Sequence, residues 1–74
     1  RLKPDYPLPF SNRGLVRRAN GDLEGALQDY DAAIRIKPSN GQAFYNRSLA
    51  RREKGYVKGA QDDYNEAIRL GYKP

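Results

Sequence analysis

The sequence repeats itself with a period of 34 residues. Shifted on itself by that distance, the segment from Phe10 to Ile36 aligns with Phe44 to Leu70, and 14 of the 27 pairs are identical, where ordinary composition would give about two by chance. The identities include Phe10/Phe44, Asn12/Asn46, Arg13/Arg47, Leu15/Leu49, Arg17/Arg51, Arg18/Arg52, Asp29/Asp63 and Tyr30/Tyr64. A period of this length means that one supersecondary unit is used twice and that neighbouring units bury each other's apolar faces. Residues 7–40 are read as the first unit and 41–74 as the second. Arg1-Leu2-Lys3-Pro4 matches Arg35-Ile36-Lys37-Pro38 in the same register, so residues 1–6 read as the tail of a preceding repeat in a longer protein.

Apolar spacing inside each unit is helical. Phe10, Leu15 and Val16 mark a first segment, and Leu23, Ala26, Leu27, Tyr30, Ala33 and Ile34 a second at steps of three and four. Asn20-Gly21-Asp22 separates them: Gly21 suits a left-handed helix end and Asp22 an N-cap. In the second unit Lys54-Gly55-Tyr56 keeps the glycine and loses the cap. Pro38 stops the second helix, and Ser39 or Asn40 can cap the third. These signals predict four helices near 9–20, 23–36, 42–54 and 57–70. Small residues at Gly14/Ser48, Ala26/Ala60 and Ala33/Ala67, alternating with the rings of Phe10/Phe44 and Tyr30/Tyr64, predict close packing of hairpin on hairpin.

The repeat resembles the tetratricopeptide repeat family, on Phe10, Gly14, Gly21, Ala26, Tyr30, Ala33 and Pro38 in the first unit and Phe44, Gly55, Ala60, Tyr64 and Ala67 in the second. Four departures stand out. Arg13/Arg47 replace a usual Leu, Arg17/Arg51 a usual Tyr, Ser48 a Gly, and Tyr72 a Pro. The resemblance implies an all-α fold of antiparallel helix-turn-helix repeats stacked as a right-handed α-solenoid. It also implies that the first helices line a concave face holding a peptide segment or helix of another protein. By unit register the groove positions are Ser11, Asn12, Leu15, Arg18 and Ala19, then Gln42, Tyr45, Asn46, Leu49, Arg52 and Glu53. From these, Asn12, Leu15, Arg18, Tyr45, Asn46, Leu49 and Arg52 are the expected peptide-binding residues. Asn12 and Asn46 suit a peptide backbone, since an amide both donates and accepts; Arg18 and Arg52 suit carboxylates of an acidic segment. Some chaperone-binding members use a clamp of Lys, Asn and Arg, but Ser11 stands where its first Lys would be.

Composition narrows the chemistry. The chain has neither Cys nor His, which removes thiolate and imidazole nucleophiles, ligands and proton carriers. Asp62-Asp63, with Asp29 and Asp31, lack the partners and geometry of an acid–base or metal site, so no enzyme, metal or cofactor is expected. No apolar run approaches the ~20 residues of a membrane-spanning helix. The N-terminal RLKPDYPLPF lacks the apolar core of a signal peptide.

A net charge of +5 admits a polyanionic partner. The first helices carry Arg13, Arg17, Arg18, Arg47, Arg51, Arg52 and Lys54 against Glu53 alone, however, while the second carry Glu24, Asp29, Asp31, Asp62, Asp63 and Glu66, so internal ion pairing is the simpler account. Nucleic-acid binding through the basic helices ranks below peptide binding because exposed aromatics for base stacking are not interleaved with the arginines. Tyr45 is expected to line the groove and Tyr56 to pack between units. Two units are fewer than the three or so usually needed for stability, and exposed Tyr64, Ile68 and Leu70 would invite self-association of the isolated segment.

Overall fold

The computed structural model describes residues 9–74; the expected tail of a preceding repeat, residues 1–6, lies outside them. The described residues form four helices, α1 (Phe10–Ala19), α2 (Leu23–Ile36), α3 (Gly41–Lys54) and α4 (Val57–Arg69). Each lies within a residue of its sequence-based position. The turns form as their residues dictate. Gly21 and Gly55 take φ of 87° and 93°, which lets the chain close each first helix with a pair of reverse hydrogen bonds. In α1 the amide of Asp22 donates to Arg17 O at 2.8 Å and that of Gly21 to Arg18 O at 3.0 Å; Tyr56 and Gly55 repeat this at the end of α3. Asp22 caps α2 by accepting from the Gly25 amide, and Asn40 rather than Ser39 caps α3 by accepting from Ala43. Tyr56 supplies α4 with no side-chain cap.

The helices pack as two hairpins, α1 on α2 and α3 on α4, with α3 laid against the first hairpin. Curvature follows from which helices meet across the junction. Among the described residues α1 touches α3, whereas α2 and α4 do not pack together, so the first helices form the inner side of the stack. The second helices splay apart on the outer side. Tyr56 stands at this outer gap beside Glu24, Leu27 and Gly59, still exposed. The expectation that it packs between units therefore fails, because the divergence of α2 and α4 leaves it without a lid.

The core is thin and made almost wholly of alanine. Ala26, Ala33, Ala43, Ala50, Ala60 and Ala67 are buried, and Tyr30 is the largest fully buried side chain. Tyr30 lies with Ala26 and Ala50, flanked by Leu23 and Leu27, so one residue from α3 completes the pocket of the first hairpin. Gly14 makes room for that ring: a Cβ there would stand 2.5 Å from Tyr30 Cε1. The second hairpin differs at the same place. Ser48 replaces the glycine, its Oγ donating to Tyr45 O at 2.6 Å, and Tyr64, the counterpart of Tyr30, is 40% exposed where Tyr30 is 0%. Tyr64 leans instead toward Tyr45, ring centroids 6.1 Å apart, while Tyr72 stacks on Tyr45 at 5.1 Å.

Gly14→Ala is expected to cost roughly 1 to 3 kcal/mol through displacement of the Tyr30 ring, measured by urea unfolding followed by circular dichroism. The Tyr30 hydroxyl is buried without a hydrogen-bond partner among the described residues, so Tyr30→Phe should be neutral or slightly stabilising at pH 7. Burial, offset in part by nearby Arg18, raises the Tyr30 phenol above its ordinary value of 10.0. A pKa higher in the folded than in the unfolded chain gives stability that is complete below pH 10 and lost as pH rises through the folded value. The wild type should therefore lose more stability above pH 10 than Tyr30→Phe does; equal losses in paired melts would disprove the assignment.

Candidate functional site

Most of the basic residues of the described helices lie on α1 and α3, and most of those charges are committed internally. Asp29 is 2% exposed and Asp63 3%, and each would be costly to bury unpaired. In the first hairpin Arg13 donates from Nε at 3.1 Å and from Nη2 at 2.8 Å to Asp29, and Arg17 approaches the same carboxylate at 3.5 Å. In the second, Arg47 donates to Asp63 through Nε and Nη2, both at 2.8 Å, and Arg51 adds a third contact at 3.0 Å. The guanidinium of Arg13 also lies 5.3 Å from the Phe10 ring centre, and that of Arg47 5.4 Å from Phe44. Arginine can thus occupy a position where leucine is usual: its stem packs, its plane lies near an aromatic ring, and its fork meets a carboxylate. Gly59 leaves the space through which Arg51 passes, since a Cβ there would meet the guanidinium at 3.3 Å.

Three further pairs join the hairpins. Arg47 Nη1 reaches Asp31 at 2.8 Å, Arg18 forms a fork with Glu53 at 2.6 to 3.1 Å, and Lys54 pairs with Glu24. Burial opposes the charge on Arg47, but its hydrogen bonds to Asp63 and Asp31 outweigh it and hold its pKa above the ordinary value. The hydrogen bond to Glu53 likewise raises Arg18, against a smaller opposing effect of burial.

The expected groove residues fall into three environments. Leu15, Tyr45 and Leu49 are half-buried on the inner helices, and Asn12 and Arg52 are exposed. Arg52 has no ion-pair partner among the described residues. Arg18 is engaged by Glu53 across the junction. Asn46 is 5% exposed and its Nδ2 has no hydrogen-bond partner among the described residues. Its repeat mate Asn12 is exposed because no described helix covers α1 as the first hairpin covers α3. Sequence reasoning foresaw an ion lattice between helices but gave Arg18 to a ligand. The signal that could have assigned it is Glu53, one position beyond Arg52, in a unit whose counterpart position holds Ala19.

No group of acidic side chains among the described residues is arranged to hold a metal ion, and no described helix is long and apolar enough to cross a membrane. Paired antiparallel helices repeated at a fixed period and curved about their first helices define an α-solenoid. The family model described as TPR repeat matches residues 14–55, and the chain belongs to that tetratricopeptide repeat family. Its repeats generally mediate protein–protein interaction and are typically non-catalytic. No curated protein and no solved structure matches the chain.

Because Asp63 is buried and answers two arginines, Asp63→Asn is expected to cost roughly 3 kcal/mol. Arg18→Ala removes a more exposed pair and should cost under about 1 kcal/mol. Thermal melts of the two variants beside wild type test that ranking, and the reverse order would show that the junction pairs dominate.

Proposed function

We propose that this chain is a non-catalytic interaction module holding an extended peptide segment of a partner protein against the inner face of α1 and α3. The observation that supports it is a stripe in which Asn12 and Arg52 are exposed and Leu15, Tyr45 and Leu49 half-buried. These side chains combine two aliphatic groups, a phenol, an amide and an unpaired guanidinium on the two helices that meet on the inner side. Leu15 and Leu49 take apolar side chains of the peptide, while the Asn12 amide bonds its backbone. Asn46 brings a buried donor that nothing among the described residues satisfies; a peptide carbonyl would satisfy it once the amide turns toward the face. Arg52 gives preference for an acidic residue at the second-hairpin end of the peptide. Arg18 contributes by fixing the junction through Glu53.

The reading is tested by probing an array of overlapping 15-residue peptides with the 74-residue chain and with its Leu15→Ala/Leu49→Ala and Asn12→Ala/Asn46→Ala variants. Peptides retained by the wild type should lose at least about tenfold in affinity with either variant, a loss of ~1.4 kcal/mol, at unchanged helical content. Retention unaltered by both variants would remove the inner face from consideration.

A further inference from the structure

Among the described residues every ion pair but one draws its acid from a second helix, α2 or α4. The exception is Arg18 of α1, which meets Glu53 of α3. Glu53 is also the one acid on either first helix, and its counterpart one period earlier is Ala19. The fork therefore joins the two inner helices directly, whereas the other junction pairs, Asp31 with Arg47 and Glu24 with Lys54, run from α2 to α3. Both partners lie at the junction between the two units, so the pair is complete within the chain.

Helical spacing fixes its place relative to the apolar stripe of the inner face. Arg18 stands three residues after Leu15 on α1, and Glu53 four after Leu49 on α3, so each lies one turn along the same helix face. The pair ends that stripe near the hairpin turns. It is not sealed from solvent: the side chains of Arg18 and Glu53 are 26% and 44% exposed. Glu53 takes the Nε edge of the guanidinium, accepting from Nε at 3.1 Å with both oxygens and from Nη2 at 2.6 Å with one. The chain thus displays a carboxylate seated on an inner-face arginine in the two-pronged geometry such groups prefer. An exposed pair of this kind contributes under about 1 kcal/mol, so a competitor can displace it. A competitor that is itself an acid, however, leaves Glu53 unpaired beside it, and the attraction of Arg18 is cancelled by the repulsion of Glu53.

We infer that Glu53 is a built-in competitor on the inner face: seated on Arg18, its carboxylate takes the place an acidic side chain of the bound segment would occupy, and so excludes acids from the junction level of the groove. The inference rests on the peptide-binding reading above and adds a selectivity to it. A segment lying across α1 and α3 carries a neutral residue beside Arg18 and Glu53. Removing the Glu53 charge turns the same position into a carboxylate site. A merely structural pair does the opposite, since loosening the junction weakens every ligand.

The test compares the 74-residue chain with its Glu53→Gln variant and with the Arg18→Gln/Glu53→Gln double variant. Glutamine matches glutamate in shape and its carbonyl still accepts from Arg18, so the hairpins stay docked, which circular dichroism and thermal melts check. The probes are the 15-residue peptides retained by the wild type, each remade with a single glutamate at successive positions, and affinity is read by fluorescence anisotropy. At the position that meets the junction, glutamate should give the wild type no gain and strengthen binding to Glu53→Gln about fivefold, the scale of a partly exposed charge pair. That gain should fade as salt is raised and vanish in the double variant. Three results would overturn the inference while leaving the groove reading intact: no position at which glutamate favours Glu53→Gln, a gain that survives in the double variant, or a uniform loss of affinity for all peptides on Glu53→Gln. A wild type that retains no peptide overturns both.

Discussion

A carboxylate buried between two helices and answered by two arginines holds each hairpin of this chain together. Asp29 does this in the first and Asp63 in the second. The alanine core explains why such an interaction is used. Alanine side chains bring helices close but bury little apolar area each, so hydrophobic burial alone returns little per residue. Close approach also excludes water from the polar groups between the helices, which strengthens a well-formed fork and makes an unpaired carboxylate expensive. The same geometry favours one register of the hairpin: sliding α1 along α2 by one turn would carry one arginine toward the other's place and leave Asp29 with one partner instead of two.

The junction between hairpins uses the same chemistry with a different emphasis. Arg47 spans both levels, bonded to Asp63 within its own hairpin and to Asp31 in the preceding one. One side chain therefore couples the fold of a unit to its stacking, which is how a quasi-linear array gains cooperativity from nearest-neighbour contacts. The remaining junction pairs lie nearer the surface, where charge is worth less as stability and more as selectivity.

The 34-residue period, the helical spacing, and the turn residues Gly21, Gly55 and Asp22 together made the four helices legible, because each is a local property of the chain. Asn40 and the missing cap at Tyr56 were legible for the same reason. The role of Arg18 was not, since it depends on Glu53, 35 positions away, and on the angle between hairpins. Tyr56 was misplaced because its burial depends on whether α2 and α4 meet, and curvature is a sum of contacts that no single position encodes. The interior position of Asn46 beside the exposed Asn12 has a similar origin. Identical residues in identical registers differ when only one of them has a hairpin packed before it.

That last asymmetry runs through the whole chain and explains why sequence identity between repeats does not give equivalence of surface. Tyr30 and Tyr64 occupy the same register, yet one closes a core and the other lies open. Part of the difference is a missing neighbour, and part is written locally. Ser48 occupies the space that Gly14 leaves for Tyr30, and Gln61 stands where Leu27 flanks the buried cluster. Lys58 reverses the charge that Glu24 presents to the next helix. The residues that build the hairpin, Arg13, Arg17 and Asp29, recur unchanged as Arg47, Arg51 and Asp63, while those that receive a neighbour diverge. Internal architecture constrains the first group because a buried carboxylate admits few alternatives, whereas the second group answers to whatever helix it meets.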